Sequence, residues 1–228
     1  MPVKGVFLTY DASGAVAGAK MGHVILVVDV ISMSTTLEAA LEAGAAEIFG
    51  ASPDISRAPV DLNPEKIGWL AGSKAAQLGC ELVLIGEPRI GTDAQRMASM
   101  TKAVQGIRQT GAIIGGVLPN LGAETVKMMD LRDKVVLAVT DTGGVAFDAA
   151  ITAGAPAVSV ATIARTIQCK GTQPADQGAL RGIALAEQFE TAITVVAASS
   201  NSLEDILGAE YIARRIIELP FSTSKKSK

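Results

Sequence analysis

Short apolar runs alternate along this chain with segments of helical spacing. The run 23–31, HVILVVDVI, is almost continuously β-branched, which is typical of a strand buried on both faces. Residues 34–45 have the spacing of a helix, with Thr35 and Glu38 in the pattern of a capping box. A further strand over 46–52 completes one β-α-β unit.

The same alternation continues to residue 219. Further strands are predicted at 4–10, 80–88, within 111–122, and at 134–139, 156–163 and 191–198. Further helices are predicted at 66–79, 96–111, 123–131, 145–155, 179–189 and 202–219. The rhythm predicts an α/β fold, a three-layer α/β/α arrangement with a largely parallel sheet. A barrel is the competing layout, although eight βα units are hard to count here.

The second clear β-α-β unit resembles the first at an offset of 110 residues. Small residues of the first unit coincide with small residues of the second: Ala39, Ala40, Ala43, Gly44 and Ala45 with Ala149, Ala150, Ala153, Gly154 and Ala155. This indicates an internal duplication, with two similar lobes at about 1–115 and 116–221 of a single domain 1–221. The polar tail 222–228 is predicted to be disordered.

Composition narrows the chemistry that the chain can perform. The single histidine, His23, excludes a multi-histidine zinc site, and Cys80 and Cys169 show no C-x-x-C pairing. The net charge of −3 gives no electrostatic case for binding nucleic acid. No apolar stretch is long enough to cross a bilayer as a helix, so we expect a soluble, cytoplasmic protein without a membrane partner.

Polar side chains follow most of the predicted strands. Because the carboxyl ends of parallel strands meet at one edge of a sheet, we expect these side chains to share a site. They are Asp29, Ser32, Ser34, Thr35, Thr36, Glu87, Arg89, Asn120, Asp141, Thr142, Gly143, Ser202, Glu204 and Asp205.

This set of side chains suits phosphate and a hard metal ion. Hydroxyl-rich loops that enter helices offer free N–H groups to an oxyanion, and carboxylates suit Mg²⁺. Asp29 stands out because a carboxylate in an apolar strand is costly unless it is paired or metal-bound. The simpler interpretations are helix caps for residues 34–36 and 202–205, and turn residues for Asn120 and Asp141.

The order of these motifs resembles the 2-phosphosulfolactate phosphatases of coenzyme M biosynthesis, the ComB family. The resemblance spans roughly residues 23–216 and rests on five segments: DVISMSTT at 29–36, GEPR at 86–89, PNLGAE at 119–124, VTDTG at 139–143 and SLEDILGAE at 202–210. The chain departs from the family pattern in places. Ser32 stands where the family has arginine, Pro88 interrupts its G-E-R element, and Leu121 replaces a serine.

The resemblance implies a Mg²⁺-dependent phosphatase with an α/β three-layer fold, acting on a phosphorylated 2-hydroxy acid. The leading hypothesis is hydrolysis of 2-phosphosulfolactate to sulfolactate. The alternative is a divergent, non-hydrolytic binder of a phosphorylated or carboxylated metabolite. A third interpretation is an interaction subunit or homodimer that uses the helix over 204–218.

Each candidate residue has an expected role in the leading hypothesis. The catalytic set is Asp29, Glu87 and Asp141, with no assignment of which carboxylate is nucleophile or base. Asp29, Glu204 and Asp205 are the expected Mg²⁺ ligands. The residues expected to hold the substrate and its phosphate are Ser34, Thr35, Thr36, Arg89, Asn120, Thr142 and Gly143.

Overall fold

The computed structural model describes residues 4–219 and contains alternating strands and helices throughout. The strands are β1 (Val6–Tyr10), β2 (Val24–Val28), β3 (Glu47–Ala51), β4 (Leu82–Gly86), β5 (Ile114–Pro119), β6 (Val135–Val139), β7 (Val158–Ala161) and β8 (Ile193–Ala197). The α-helices are α1 (Asp11–Lys20), α2 (Met33–Glu42), α3 (Pro64–Leu78), α4 (Asp93–Ala98), α5 (Thr101–Gln109), α6 (Gly143–Thr152), α7 (Gln173–Gln188) and α8 (Leu203–Glu218). A 3-10 helix spans Gly122–Lys127.

The strands form two four-stranded sheets, and every pairing within them is parallel. The first sheet has the order β1-β8-β2-β7 and the second the order β3-β6-β4-β5. All residues of the four inner strands, β2, β4, β6 and β8, are buried. The prediction of an α/β fold with parallel strands is therefore confirmed, and the near-continuous apolar runs mark the inner strands.

Each sheet carries helices on both of its faces. One face of the first sheet packs on α7 and α8, and one face of the second packs on α3 and α5. The other faces share a central core with α1, α2 and α6, in which Ile25 and Val27 of β2 and Val136 and Ala138 of β6 are buried. Each sheet is thus the middle of an α/β/α sandwich, and the two sandwiches share their inner helices.

The two sheets repeat one order of elements. Helix α2 leaves the first sheet and leads to β3 in the second, while α6, which begins 110 residues later, leaves the second and leads to β7 in the first. The strand orders β1-β8-β2-β7 and β5-β4-β6-β3 correspond under the same offset. The internal duplication itself stays a prediction from the sequence. Each sheet takes strands from both halves of the chain, and the division expected near residue 115 falls inside β5.

Several elements differ from their predicted form. Helix α1 was not predicted, the helix expected over 96–111 is divided into α4 and α5, and the one expected over 123–131 is a 3-10 helix. The capping box of Thr35 and Glu38 is absent, because α2 begins at Met33 and Ser32 is its N-cap. Between residues 4 and 219, no helix combines the length and apolarity that crossing a membrane requires. The tail 222–228 lies outside the described residues.

Candidate functional site

The loop between β2 and α2 carries Asp29, which is only 3% exposed. Its Oδ2 accepts hydrogen bonds from the Thr142 hydroxyl (3.0 Å) and the Gly143 backbone N–H (2.8 Å). Thr142 and Gly143 form the start of α6, so one carboxylate of the first sheet is bound by a helix of the second. The bond brings together the carboxyl ends of β2 and β6, one from each sheet.

Burial raises the pKa of Asp29, although hydrogen bonds from Thr142, Gly143 and the backbone of Ser32 and Met33 oppose this rise. These donors belong to the first residues of α2 and α6, where N–H groups have no partner within the helix. Two helix N-termini therefore surround the carboxylate, and their dipoles favour negative charge at this point.

Gly143 is required by the close approach of these two helices. A Cβ at this position would lie 2.4 Å from Asp29 Oδ2 and 2.9 Å from Met33 Cβ. The sequence indicated Gly143 as part of a phosphate loop. In the structure its missing side chain makes room for Asp29.

Asn120 joins three strand ends through its side chain. Its Nδ2 donates to Ser32 Oγ (2.7 Å) and to Glu87 Oε1 (3.3 Å), and its Oδ1 accepts from Thr36 Oγ1 (2.5 Å). Asn120 is fully buried and follows β5, while Glu87 follows β4. The expectation that residues after different strands converge is met for these four side chains.

Arg89 closes this group on its exposed side. Its Nη2 donates to the Ile31 carbonyl (3.1 Å), and its Nε lies 3.6 Å from Glu87 Oε1. The side chains of Arg89 and Glu87 are 46% and 39% exposed, so both are open to a ligand. We call Asp29, Ser32, Thr36, Glu87, Arg89, Asn120, Thr142 and Gly143 the strand-end cluster.

Arg96 supports the strand-end cluster and was not found from the sequence. Although it is 4% exposed, its Nη2 donates to the Arg89 carbonyl (3.1 Å) and its Nη1 to Asp93 (3.0 Å). It belongs to the short helix α4, where nothing in the sequence distinguishes it from a surface arginine. Its burial follows only from the way that α4 packs beside the residue 87–91 loop.

Asp205 connects α8 to the loop that carries Asp29. Its Oδ1 accepts from the Val30 N–H (2.8 Å), and its own N–H donates to Ser202 Oγ (3.2 Å), which caps α8. Burial raises the pKa of Asp205 to about 6, and the negative charge of Asp29 adds to this rise. The two carboxyl groups are therefore close enough to repel one another.

Besides Asp205, four predicted site residues lie outside the strand-end cluster. The Ser34 hydroxyl donates to the Val27 carbonyl and accepts from the Asp29 N–H, while Thr35 contacts Val30 and Thr162. The Ser34 hydroxyl is occupied within the β2–α2 loop, and the Thr35 hydroxyl is occupied by this loop and by Thr162, which follows β7. Asp141 is exposed beside Thr142, and Glu204 accepts from Ser202 Oγ (3.1 Å) at the surface.

The three carboxylates expected to bind magnesium, Asp29, Glu204 and Asp205, do not form a complete ligand set. Among residues 4–219, no group of three or more His, Cys, Asp or Glu side chains is placed to hold a metal ion. Asp29 and Asp205 remain the candidate donors, because the negative charge of Asp29 acts on Asp205 and Mg²⁺ is commonly held by one or two carboxylates together with substrate phosphate and water. This pair fits such a site, whereas Glu204 is directed to its own helix cap.

Two cavities, of about 410 and 320 Å³, are lined by residues outside the strand-end cluster.

The comparisons with protein families, curated proteins and solved structures find no match to this chain.

Proposed function

We propose that this chain is a Mg²⁺-dependent phosphatase of a small anionic 2-hydroxy-acid phosphate, with 2-phosphosulfolactate, cleaved to sulfolactate, as the substrate to test first. The observation that carries the proposal is the convergence of residues from four strand ends on the β2–α2 loop. Four of the five segments that resemble the 2-phosphosulfolactate phosphatase family contribute to this cluster, which supports the substrate class.

The half-exposed residues of the cluster are those that face a substrate. Arg89 pairs with an anionic group of the substrate, while the Thr142 hydroxyl and the Gly143 N–H, which donate to Asp29, hold the start of α6 beside the β2–α2 loop. Glu87 takes a proton from the attacking water as the phosphorus–oxygen bond to the 2-hydroxy acid breaks, and then passes that proton to the departing alkoxide oxygen, which leaves inorganic phosphate and the free hydroxyl.

Asp29 and Asp205 are the residues that hold the magnesium ion in this proposal. The ion supplies charge neutralisation on the phosphate when it is bound. Asp29 also keeps the starts of α2 and α6 together, so that loop residues from both sheets stay aligned.

The test is phosphate release from 2-phosphosulfolactate and from phospholactate, with Mg²⁺ and with chelator. We expect Mg²⁺-dependent release by the wild-type chain and a loss on the order of a hundredfold in Glu87→Gln, the range of a lost acid–base group. Asp61→Asn, which changes an exposed carboxylate elsewhere, is the matched control and should leave the rate unchanged. No release from either substrate at saturating Mg²⁺ would contradict the proposal.

A second candidate function is binding of the same class of ligand without hydrolysis. It is favoured by the near-complete burial of Asp29 and by Ser32, which offers no guanidinium where the family has one. Calorimetric binding of sulfolactate or inorganic phosphate, weakened by Arg89→Gln and without turnover of the phosphate ester, would identify this function.

A further inference from the structure

A polar cavity of about 320 Å³ lies away from the strand-end cluster. It is formed by α2, by the segment 162–172 after β7, and by the first half of α7. This volume falls in the range of small-molecule sites, and several polar side chains converge on it.

An ion pair between the buried Glu38 and the partly exposed Arg181 forms one wall of the cavity. Arg181 donates through Nη1 to Glu38 Oε1 (2.8 Å) and through Nη2 to Oε2 (2.7 Å), and Nη1 also donates to the Val160 carbonyl (2.9 Å). Glu38 is 5% exposed. Because Arg181 is bidentate to Glu38, its positive charge is already balanced.

Glu42 contributes a second carboxylate to the cavity, and none of the described lining residues supplies a positive charge to balance it. Its two carboxylate oxygens accept from the Thr166 hydroxyl (2.8 Å) and the Gln168 N–H (3.0 Å). Burial alone would raise the pKa of Glu42. The hydrogen bonds from Gln168, Cys169 and Thr166 outweigh this effect and lower the pKa. The described lining therefore carries two carboxylates against one guanidinium, and the remaining polar side chains, such as Gln177, are neutral.

We propose that this cavity binds a small molecule that carries a protonated amine. Such a group compensates the unbalanced charge of Glu42, whereas a carboxylate or phosphate would add to it. The neutral amides of Gln168 and Gln177 at the rim are able to bond the rest of a polar ligand. The proposal does not depend on the phosphatase function, because the two sites share no residue.

The two cysteines provide a local test on the full-length chain. Cys169 lines the cavity, whereas Cys80 follows α3 and is comparably half-buried, so it serves as an internal reference. We expect 1,4-diaminobutane to slow alkylation of Cys169 about tenfold at about ten times its Kd, since only free protein reacts, and to leave Cys80 unchanged. Butane-1,4-diol, the uncharged match, should protect neither thiol.

Substitutions at the exposed Gln177 separate charge from shape. Gln177→Lys should weaken diamine binding on the order of fivefold and Gln177→Glu should strengthen it similarly, as expected for one charge at about 4 Å in water. Binding would be measured by calorimetry. Equal protection by the diol, protection of both thiols, no protection by the diamine, or equal effects of the two substitutions would each overturn the proposal.

Discussion

The position of Asp29 could be recognised from the sequence, whereas its hydrogen-bond partners could not. A carboxylate at the end of an apolar strand indicated a buried, functional charge, and Asp29 is indeed buried. Its partners, however, are the starts of two helices from different halves of the chain. Residue-level reasoning found the position, because charge in an apolar run is conspicuous. It did not find the partners, since these depend on how α6 packs beside α2.

At Gly143, we expect substitution by alanine to destabilise the protein. The added Cβ would meet Asp29 Oδ2 and Met33, so Gly143→Ala should reduce the free energy of unfolding by about 1–3 kcal/mol, typical of overpacking. Urea denaturation provides the measurement. Gly182→Ala, where the nearest atom is a flexible Leu26 methyl at 3.3 Å, should lose clearly less. An equal loss in both would contradict the close-approach argument.

At Asp205, we expect a pH-dependent effect on stability. Its pKa in the folded protein is about 6, above the ordinary 3.8, so the unfolded state gives up the proton first and wild-type stability falls as pH rises through about 6. Asparagine keeps the acceptor for the Val30 N–H but does not ionise. The Tm of Asp205→Asn relative to wild type, measured in chelator, should therefore rise between about pH 4 and pH 8.

The control for this measurement is Asp61→Asn, which removes an exposed carboxylate. Its Tm difference from wild type should stay constant over the same range. A constant difference for Asp205→Asn would show that the buried carboxyl has no raised pKa.

At the scale of elements, the sequence was most informative where apolar residues are large. The inner strands and the N-cap of α8 at Ser202 were recognised, because β-branched runs and capping serines have direct local signatures. Helix α1 was missed because most of its buried residues are alanine and glycine, which give a weak amphipathic pattern. Its Gly14 and Gly18 lie against Thr9 and Thr194, so close packing explains these small residues.

Helix α2 carries Glu38, whose partner lies on α7 and not at the helix start. We expect Arg181→Met to lower the free energy of unfolding by about 3 kcal/mol, because it leaves the Glu38 carboxylate buried and unpaired, and Glu38→Gln to lower it less, because the Arg181 side chain is 26% exposed. The double variant should lose less than the sum, as measured by denaturation in a double-mutant cycle. The exposed pair of Arg215 and Glu218 is the control, with an expected coupling below about 1 kcal/mol.

At the scale of the whole molecule, the two halves of the chain are interleaved. Helices α2 and α6 each cross between the sheets, so neither half of the chain supplies a complete sheet. The dimer face predicted on α8 stays a prediction, with Leu203, Leu207 and Ile217 exposed there.

We expect fragments 1–130 and 131–228 to lack cooperative unfolding when they are produced separately. The second fragment would contain β6 without its neighbours β3 and β4, and the first would contain β2 without β7 and β8. Mixing the fragments should restore a cooperative thermal transition, followed by circular dichroism. Cooperative unfolding of either fragment alone would show that the lobes are independent.

The sequence by itself determined the alternation of strands and helices, the parallel α/β class, and which polar side chains stand at strand ends. These follow from local periodicity and from the chemistry of each residue. Only the tertiary structure decided that the strands form two sheets, that Asp29 meets Gly143, and that Arg181 meets Glu38. Both of these side-chain contacts join residues more than 100 positions apart, and they depend on helix packing that no local pattern encodes.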